Sequence, residues 1–169
     1  MAYLPAPDLL RLLEAFQSQP WDGFVWRHMF GDNSPTNQNR LGARWNPPNV
    51  PAIYCSLDRD TALAEGDYAV AVQPLRPTVK RTIYKLHIRL EKMLDLSSPS
   101  RLVELGIDAR QLADINHSAC QRIGGAVEWL EHDGLLVPSA RGSAANLVIF
   151  PRKQNTGADF AIIDSEVIT

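Results

Sequence analysis

Residues 82–90, Thr-Ile-Tyr-Lys-Leu-His-Ile-Arg-Leu, alternate strictly between two kinds of side chain. Tyr84, Leu86, Ile88 and Leu90 take one face, and Lys85, His87 and Arg89 the other. That period of two belongs to a half-buried strand and cannot be housed in a helix. A strand with one apolar face needs neighbours, so the chain must build a sheet and cover it. Shorter runs of the same kind supply them. Phe24–Phe30 alternates, with Phe24, Trp26 and His28 opposite Val25, Arg27 and Met29, and residues 52–57, Gly134–Ser139, Asn146–Phe150 and a C-terminal stretch from Phe160 read as further strands.

Helical patterns separate these runs. Leu9, Leu10, Leu12, Leu13 and Phe16 recur at helical spacing after Pro5, Pro7 and Asp8. A second helix follows Asp58 or Asp60 as N-cap and carries Glu65 one to two turns in; a mostly helical block runs from about 99 to 133. The order predicts an α+β fold: one domain over residues 1–169, with a mixed or antiparallel sheet and helices around it. At 169 residues the chain is long enough for one well-packed core and too short for two ordinary domains. No repeat or linker divides it.

Composition narrows the function. A net charge of -2 argues against direct binding to nucleic acid. Cys55 and Cys120 stand far apart with no Cys/His ligand spacing, and the four histidines are scattered, so neither a metal site nor a disulfide framework is expected. The N-terminus lacks the pattern of a signal peptide, and no apolar run is long enough to span a membrane. The expected compartment is the cytoplasm.

The segment from 31 to 50, dense in Gly, Asp, Asn, Pro and Ser, predicts a long ordered loop. It presents Arg44 among small residues, where a guanidinium suits a phosphate or carboxylate. Arg27 reads either as a snorkelling arginine at a strand end or as a ligand group. Tyr54 and Ser56, two apart, share a strand face; Tyr54 suits either a core or the edge of a pocket holding a planar or cationic ring. Glu65 by composition alone is an ordinary surface acid, and Ser139 a polar strand end beside Arg141. No Walker A or Gly-rich dinucleotide loop is present; Gly124-Gly125 stands alone in a helical stretch.

Taken in order, "VWRHMF", "GARWNPPNVPAIYCSLDRDTALAE" and "GLLVPSARGSAANLVIF" resemble the RES domain over roughly residues 20–150. The family is named for its arginine, glutamate and serine, and forms the toxin half of Xre–RES toxin–antitoxin modules. The resemblance implies a fold like that of ADP-ribosyltransferases and NAD as substrate, without a metal. Its catalytic arginine, glutamate and serine fall on Arg27, Glu65 and Ser139, and its further NAD-binding positions on Arg44 and Tyr54, with Ser56 beside them.

The implied reaction cleaves the nicotinamide–ribose bond by hydrolysis or phosphorolysis, or else transfers ADP-ribose to a protein. Glu65 would stabilise positive charge on the ribose, Arg27 and Arg44 would grip the pyrophosphate, Tyr54 would stack on nicotinamide, and Ser139 would hydrogen-bond the amide or ribose. The implied partner is an Xre-type antitoxin that covers the NAD pocket and alone contacts DNA, leaving room for a homodimer within the complex. Two positions depart from the pattern. His28 stands where several relatives have an aromatic such as tyrosine. Leu63 stands where transferases acting on protein side chains carry the first member of a Glu/Gln-x-Glu pair, which favours water or phosphate as acceptor.

Overall fold

The computed structural model describes residues 3–75, 77–151 and 159–168. The elements follow as α1 (Pro7–Glu14), β1 (Gln19–Phe30), β2 (Ile53–Ser56), α2 (Arg59–Ala71), β3 (Arg81–Asp95), α3 (Pro99–Glu104), α4 (Ala109–Ala113), α5 (Ser118–Trp129), β4 (Gly134–Pro138), β5 (Ala145–Ile149) and β6 (Phe160–Val167). This is the expected α+β chain. Asp58, not Asp60, caps α2: its side chain accepts from the Thr61 N–H. The block after residue 99 divides into three helices. Gly106, in the left-handed region, ends the first, and a reciprocal Asp108–Gln111 capping box starts the second.

The strands join in the order β1-β2-β5-β4-β3-β6, and β1 also pairs with β3. The first five therefore close on themselves, and β6 extends one edge of β3. All of these pairings are antiparallel except β3–β4, which the three helices bridge as a crossover. Closure places alternate side chains in two apolar cores. Val25, Ile53, Cys55, Leu86, Leu136, Leu147 and Ile149 meet inside the ring. Ala52, Leu135, Val137, Val148 and Phe150 point outward, into the core made with α1, α3 and α5.

β1 and β3 run longer than their alternation alone predicts. Gln19 pairs with Met93 but Trp21 with Leu90, so β3 carries an extra residue there and changes which parity faces inward. The buried Asp133 carboxylate accepts from the Glu91 and Lys92 N–H groups at that bulge, at 3.1 and 2.9 Å. It thereby satisfies amides that the distorted ladder leaves over.

Gly124 and Gly125 have a packing role. A Cβ on Gly124 would overlap the Trp45 carbonyl, and one on Gly125 would strike the Tyr3 ring. Gly124 thus lets α5 approach the backbone at Trp45 closely, Gly125 makes room for Tyr3, and Trp45 is buried in the outer core.

Candidate functional site

A cleft of about 590 Å³ opens where β1, β2 and β5 meet α2, the loop before β2 and the turn between α4 and α5. Arg27, Arg44, Tyr54, Ser56 and Glu65 all line it. Ser139 joins through a hydrogen bond to Glu65. Six residues spread over 113 positions of sequence are thus brought together. A separate apolar cavity of about 90 Å³ holds none of them.

Glu65 is fixed from two elements. The Ser139 hydroxyl donates to its Oε1 at 2.6 Å, and Asn146 Nδ2 donates to the same oxygen at 2.9 Å. The Arg141 and Gly142 N–H groups donate to Ser139 Oγ at 3.1 and 3.0 Å. With its lone pairs so occupied, the hydroxyl has its proton left for the carboxylate. Ser56 Oγ donates to Asn146 Oδ1 at 2.8 Å, which fixes that amide with its NH2 towards Glu65. Both donors to the carboxylate fall on Oε1; among the described residues Oε2 receives none.

The loop is held as firmly. Asn39 and Ala52 exchange backbone hydrogen bonds at its neck. Inside it the fully buried Asn46 donates to the Asn39 and Val50 carbonyls and accepts the Tyr54 hydroxyl at 2.6 Å. The same hydroxyl accepts from the Trp45 N–H at 2.9 Å. Burial pushes the Tyr54 phenol well above its ordinary range, so it remains a donor. The tyrosine therefore ties the loop to the outer core as well as lining the cleft.

Three arginines line this space: Arg27, Arg44 and Arg141. Arg27 shares the inward face of Val25 and donates to the Pro35 carbonyl; burial draws its pKa down, with Cys55 opposing. Burial pushes the Cys55 thiol up to about 12 despite Arg27, so it stays a neutral packing group. Arg44 donates to the Asp114 carbonyl at 3.0 Å. Arg141 lies flat over the Tyr68 ring, 3.4 Å from its centre. Among the described residues none of the three has an ion-pair partner, whereas Arg81 and Arg59 elsewhere do. Against these stand Glu65 and Asp114 on the same lining, so the cleft keeps a small positive excess, and guanidinium groups without ion pairs suit a phosphate-bearing ligand.

His28, also in the cleft, packs against Gly66, where a Cβ would run into its ring. Its Nε2 accepts from Arg81 Nε at 2.9 Å, and Arg81 pairs with Asp67 at 2.7 Å. Burial first, and the Arg81 charge second, lower its pKa to about 4, against the opposing pull of Asp67. The imidazole is therefore neutral.

The sequence patterns singled out neither Asn146 nor Asn46. Both stand in the segments that resemble the RES domain, Asn46 closing Arg-Trp-Asn and Asn146 opening Asn-Leu-Val, but without a role attached. Among the described residues no group of three or more His, Cys, Asp or Glu is placed to hold a metal ion, and no helix is long and apolar enough to cross a membrane.

The RES domain family model matches residues 14–167, nearly the whole chain. This chain belongs to the RES domain family. Its RES domain is 31% identical over 156 residues to the NAD(+) phosphorylase MbcT of Mycobacterium tuberculosis and of Mycobacterium bovis, covering 88% of this chain and 83% of each relative. In fold it matches a chain of the crystal structure of the M. tuberculosis MbcT–MbcA toxin–antitoxin complex. The TM-score is 0.86 at 23% identity, over 97% of this chain and 93% of the other. The family arginine, glutamate and serine were expected at Arg27, Glu65 and Ser139; the fold sets two of these, Glu65 and Ser139, in direct hydrogen bond and Arg27 along the same cleft.

Proposed function

We propose that this chain is a toxin that destroys NAD by phosphorolysis of the nicotinamide–ribose bond, with Arg27, Glu65 and Ser139 as its catalytic residues. The observation that carries the reading is the Glu65 carboxylate, held through one oxygen by Ser139 and Asn146, with no donor to the other among the described residues, in a cleft that three arginines line. As the C1′–N bond breaks, its electron pair goes to the nicotinamide nitrogen and positive charge builds on the ribose. A fixed carboxylate stabilises that charge without having to reorganise. A phosphate oxygen then bonds to C1′, so the pyridinium cation and hydrogen phosphate become neutral nicotinamide and a sugar phosphate.

Arg27 and Arg44 bind the pyrophosphate, Tyr54 stacks on nicotinamide, and Ser56 acts by orienting Asn146. An ADP-ribosyltransferase-like descent of the closed sheet fits the same chemistry. The partner is an Xre-type antitoxin that covers the cleft and carries the DNA contact, within an assembly that accommodates a toxin homodimer in the cytoplasm. Ile115, on the cleft wall and 88% exposed, suits such a cover.

Incubating the antitoxin-free chain with NAD, with and without phosphate, tests the reading. Phosphate-dependent release of nicotinamide and a phosphorylated ADP-ribose is expected. ADP-ribose formed regardless of phosphate would mean hydrolysis, and a labelled protein would mean transfer. Glu65→Gln should lower kcat roughly 100- to 1,000-fold, as loss of one fixed electrostatic group does. Its amide oxygen still accepts from Ser139 and Asn146, so folding should be unchanged by circular dichroism. Undiminished turnover would remove Glu65 from the mechanism.

A further inference from the structure

The phosphorolysis reading requires a place for a second substrate, inorganic phosphate, apart from the two phosphates of NAD. The three cleft arginines are not equivalent in this respect. Arg27 gives a donor to the Pro35 carbonyl and Arg44 one to the Asp114 carbonyl, so each is partly engaged with the backbone. Arg141 is half-buried in the same cleft, yet among the described residues its guanidinium has neither a hydrogen-bond acceptor nor an ion-pair partner. Its face is held against Tyr68 by a cation–π contact, which leaves the edge of the fork, with its N–H groups, for an anion.

Position adds to this. Tyr68 lies one turn after Glu65 on α2, and Arg141 lies two residues after Ser139, to which its own N–H is bonded. Gly142 packs on Thr61 of α2, and Thr61 Oγ1 accepts from the Ala144 N–H at 3.1 Å, so the 139–144 turn is seated on the helix that carries Glu65. The Arg141 fork is therefore fixed relative to the carboxylate that marks the reacting ribose. Arg141 thus shares its turn with Ser139, the donor to that carboxylate. Across the cleft, His117 is lowered in pKa by burial and then by both Arg44 and Arg141, which places it in the field of both cations.

We propose that Arg141, braced on Tyr68, is the residue that binds the acceptor phosphate, and that it determines phosphate as the acceptor in place of water. The inference rests on the phosphorolysis reading. In the step it serves, a hydrogen phosphate oxygen forms the bond to C1′ while the C1′–N pair leaves with nicotinamide. The phosphate's own proton stays on the new ester until it ionises to solvent, so no further reactant is needed.

Steady-state kinetics with full-length Arg141→Ala and Arg141→Lys, varying NAD and phosphate independently, test the assignment. Removing a charge-assisted fork should raise the KM for phosphate roughly 10- to 100-fold, while the KM for NAD moves less than about twofold. The lysine variant keeps the charge and should fall between, because it loses the planar fork and the stacking. Circular dichroism verifies that both variants are folded; should Arg141→Ala fail there, the lysine variant alone decides by the same split. A raised KM for NAD with phosphate unaffected would move Arg141 to the pyrophosphate, and no change in either would make it a bystander. Both outcomes overturn the assignment. If the wild-type chain consumes NAD at a rate independent of phosphate, the phosphorolysis reading itself falls, and the assignment with it. If the wild type depends on phosphate and the variants do not differ from it, only the assignment falls.

Discussion

Tyr54→Phe separates two roles that one side chain combines. The ring stays, and only the hydroxyl goes. In the fold that oxygen donates to Asn46 Oδ1 at 2.6 Å and accepts from the Trp45 N–H at 2.9 Å, next to a fully buried Asn46. Removing it leaves a buried acceptor and a buried donor short of a partner, each costing about 1–3 kcal/mol. A total of about 3 kcal/mol is expected, which at roughly 2–4 °C per kcal/mol for a chain of this size lowers Tm by about 6–12 °C. Urea titration with unchanged slope measures the loss directly.

The phenol also has a pH signature. Its pKa is raised by burial, so the folded state favours the protonated form. That stabilisation is complete below the ordinary tyrosine value of about 10 and is lost as pH rises through and beyond it. The variant should lack this alkaline limb. If stacking on nicotinamide is the ring's task, the KM for NAD should change little, apart from any loosening of Arg44. A stability loss under about 0.5 kcal/mol would refute the account of Tyr54 as the tie between loop and core.

Two further predictions follow from close packing and from burial. Gly124→Ala forces a methyl into the Trp45 carbonyl, and with no flexible side chain to yield it should cost about 3 kcal/mol or more, seen as a large fall in urea midpoint or in soluble yield. His28, with its pKa at about 4 against an ordinary 6.5, favours the fold fully above pH 6.5 and loses that contribution as pH falls towards 4. Arg81, Asp67 and Phe30 face it, and because the ring is only half-buried the effect is about 1–2 kcal/mol. Between pH 7.5 and 4.5 the wild type should lose that much more stability than His28→Gln; equal losses would remove His28 from the acid response.

Much of the architecture was legible because strands and helices announce themselves over short distances. The alternation at Tyr84, Leu86, Ile88 and Leu90 marked β3, the Asp58 cap and alanine run marked α2, and the turn residues at 31–50 marked the ordered loop. What could not be read were features made by pairing across the chain. β1 extends back to Gln19, through Pro20 and Gly23, because β3 runs alongside it, and the bulge at Glu91–Lys92 exists because Asp133 satisfies it. Trp45, in the middle of that loop, is buried beneath α5 because Gly124 admits it. Asn46 and Asn146 gave little signal for the same reason: their partners lie in other segments.

By itself the sequence determined the period of each element, the family, and which six residues to examine for chemistry, since residue type and local spacing are properties of short windows. Tertiary structure alone decided that the strands close into a ring and that Ser139 and Asn146 hold one oxygen of Glu65. It alone decided that the Tyr54 hydroxyl is engaged by the loop, and that Arg141 lies over Tyr68 with no hydrogen-bond acceptor or ion-pair partner for its guanidinium among the described residues. Those are distances between residues far apart in the chain, and a hydrogen bond or a cation–π contact exists only once packing has fixed both ends.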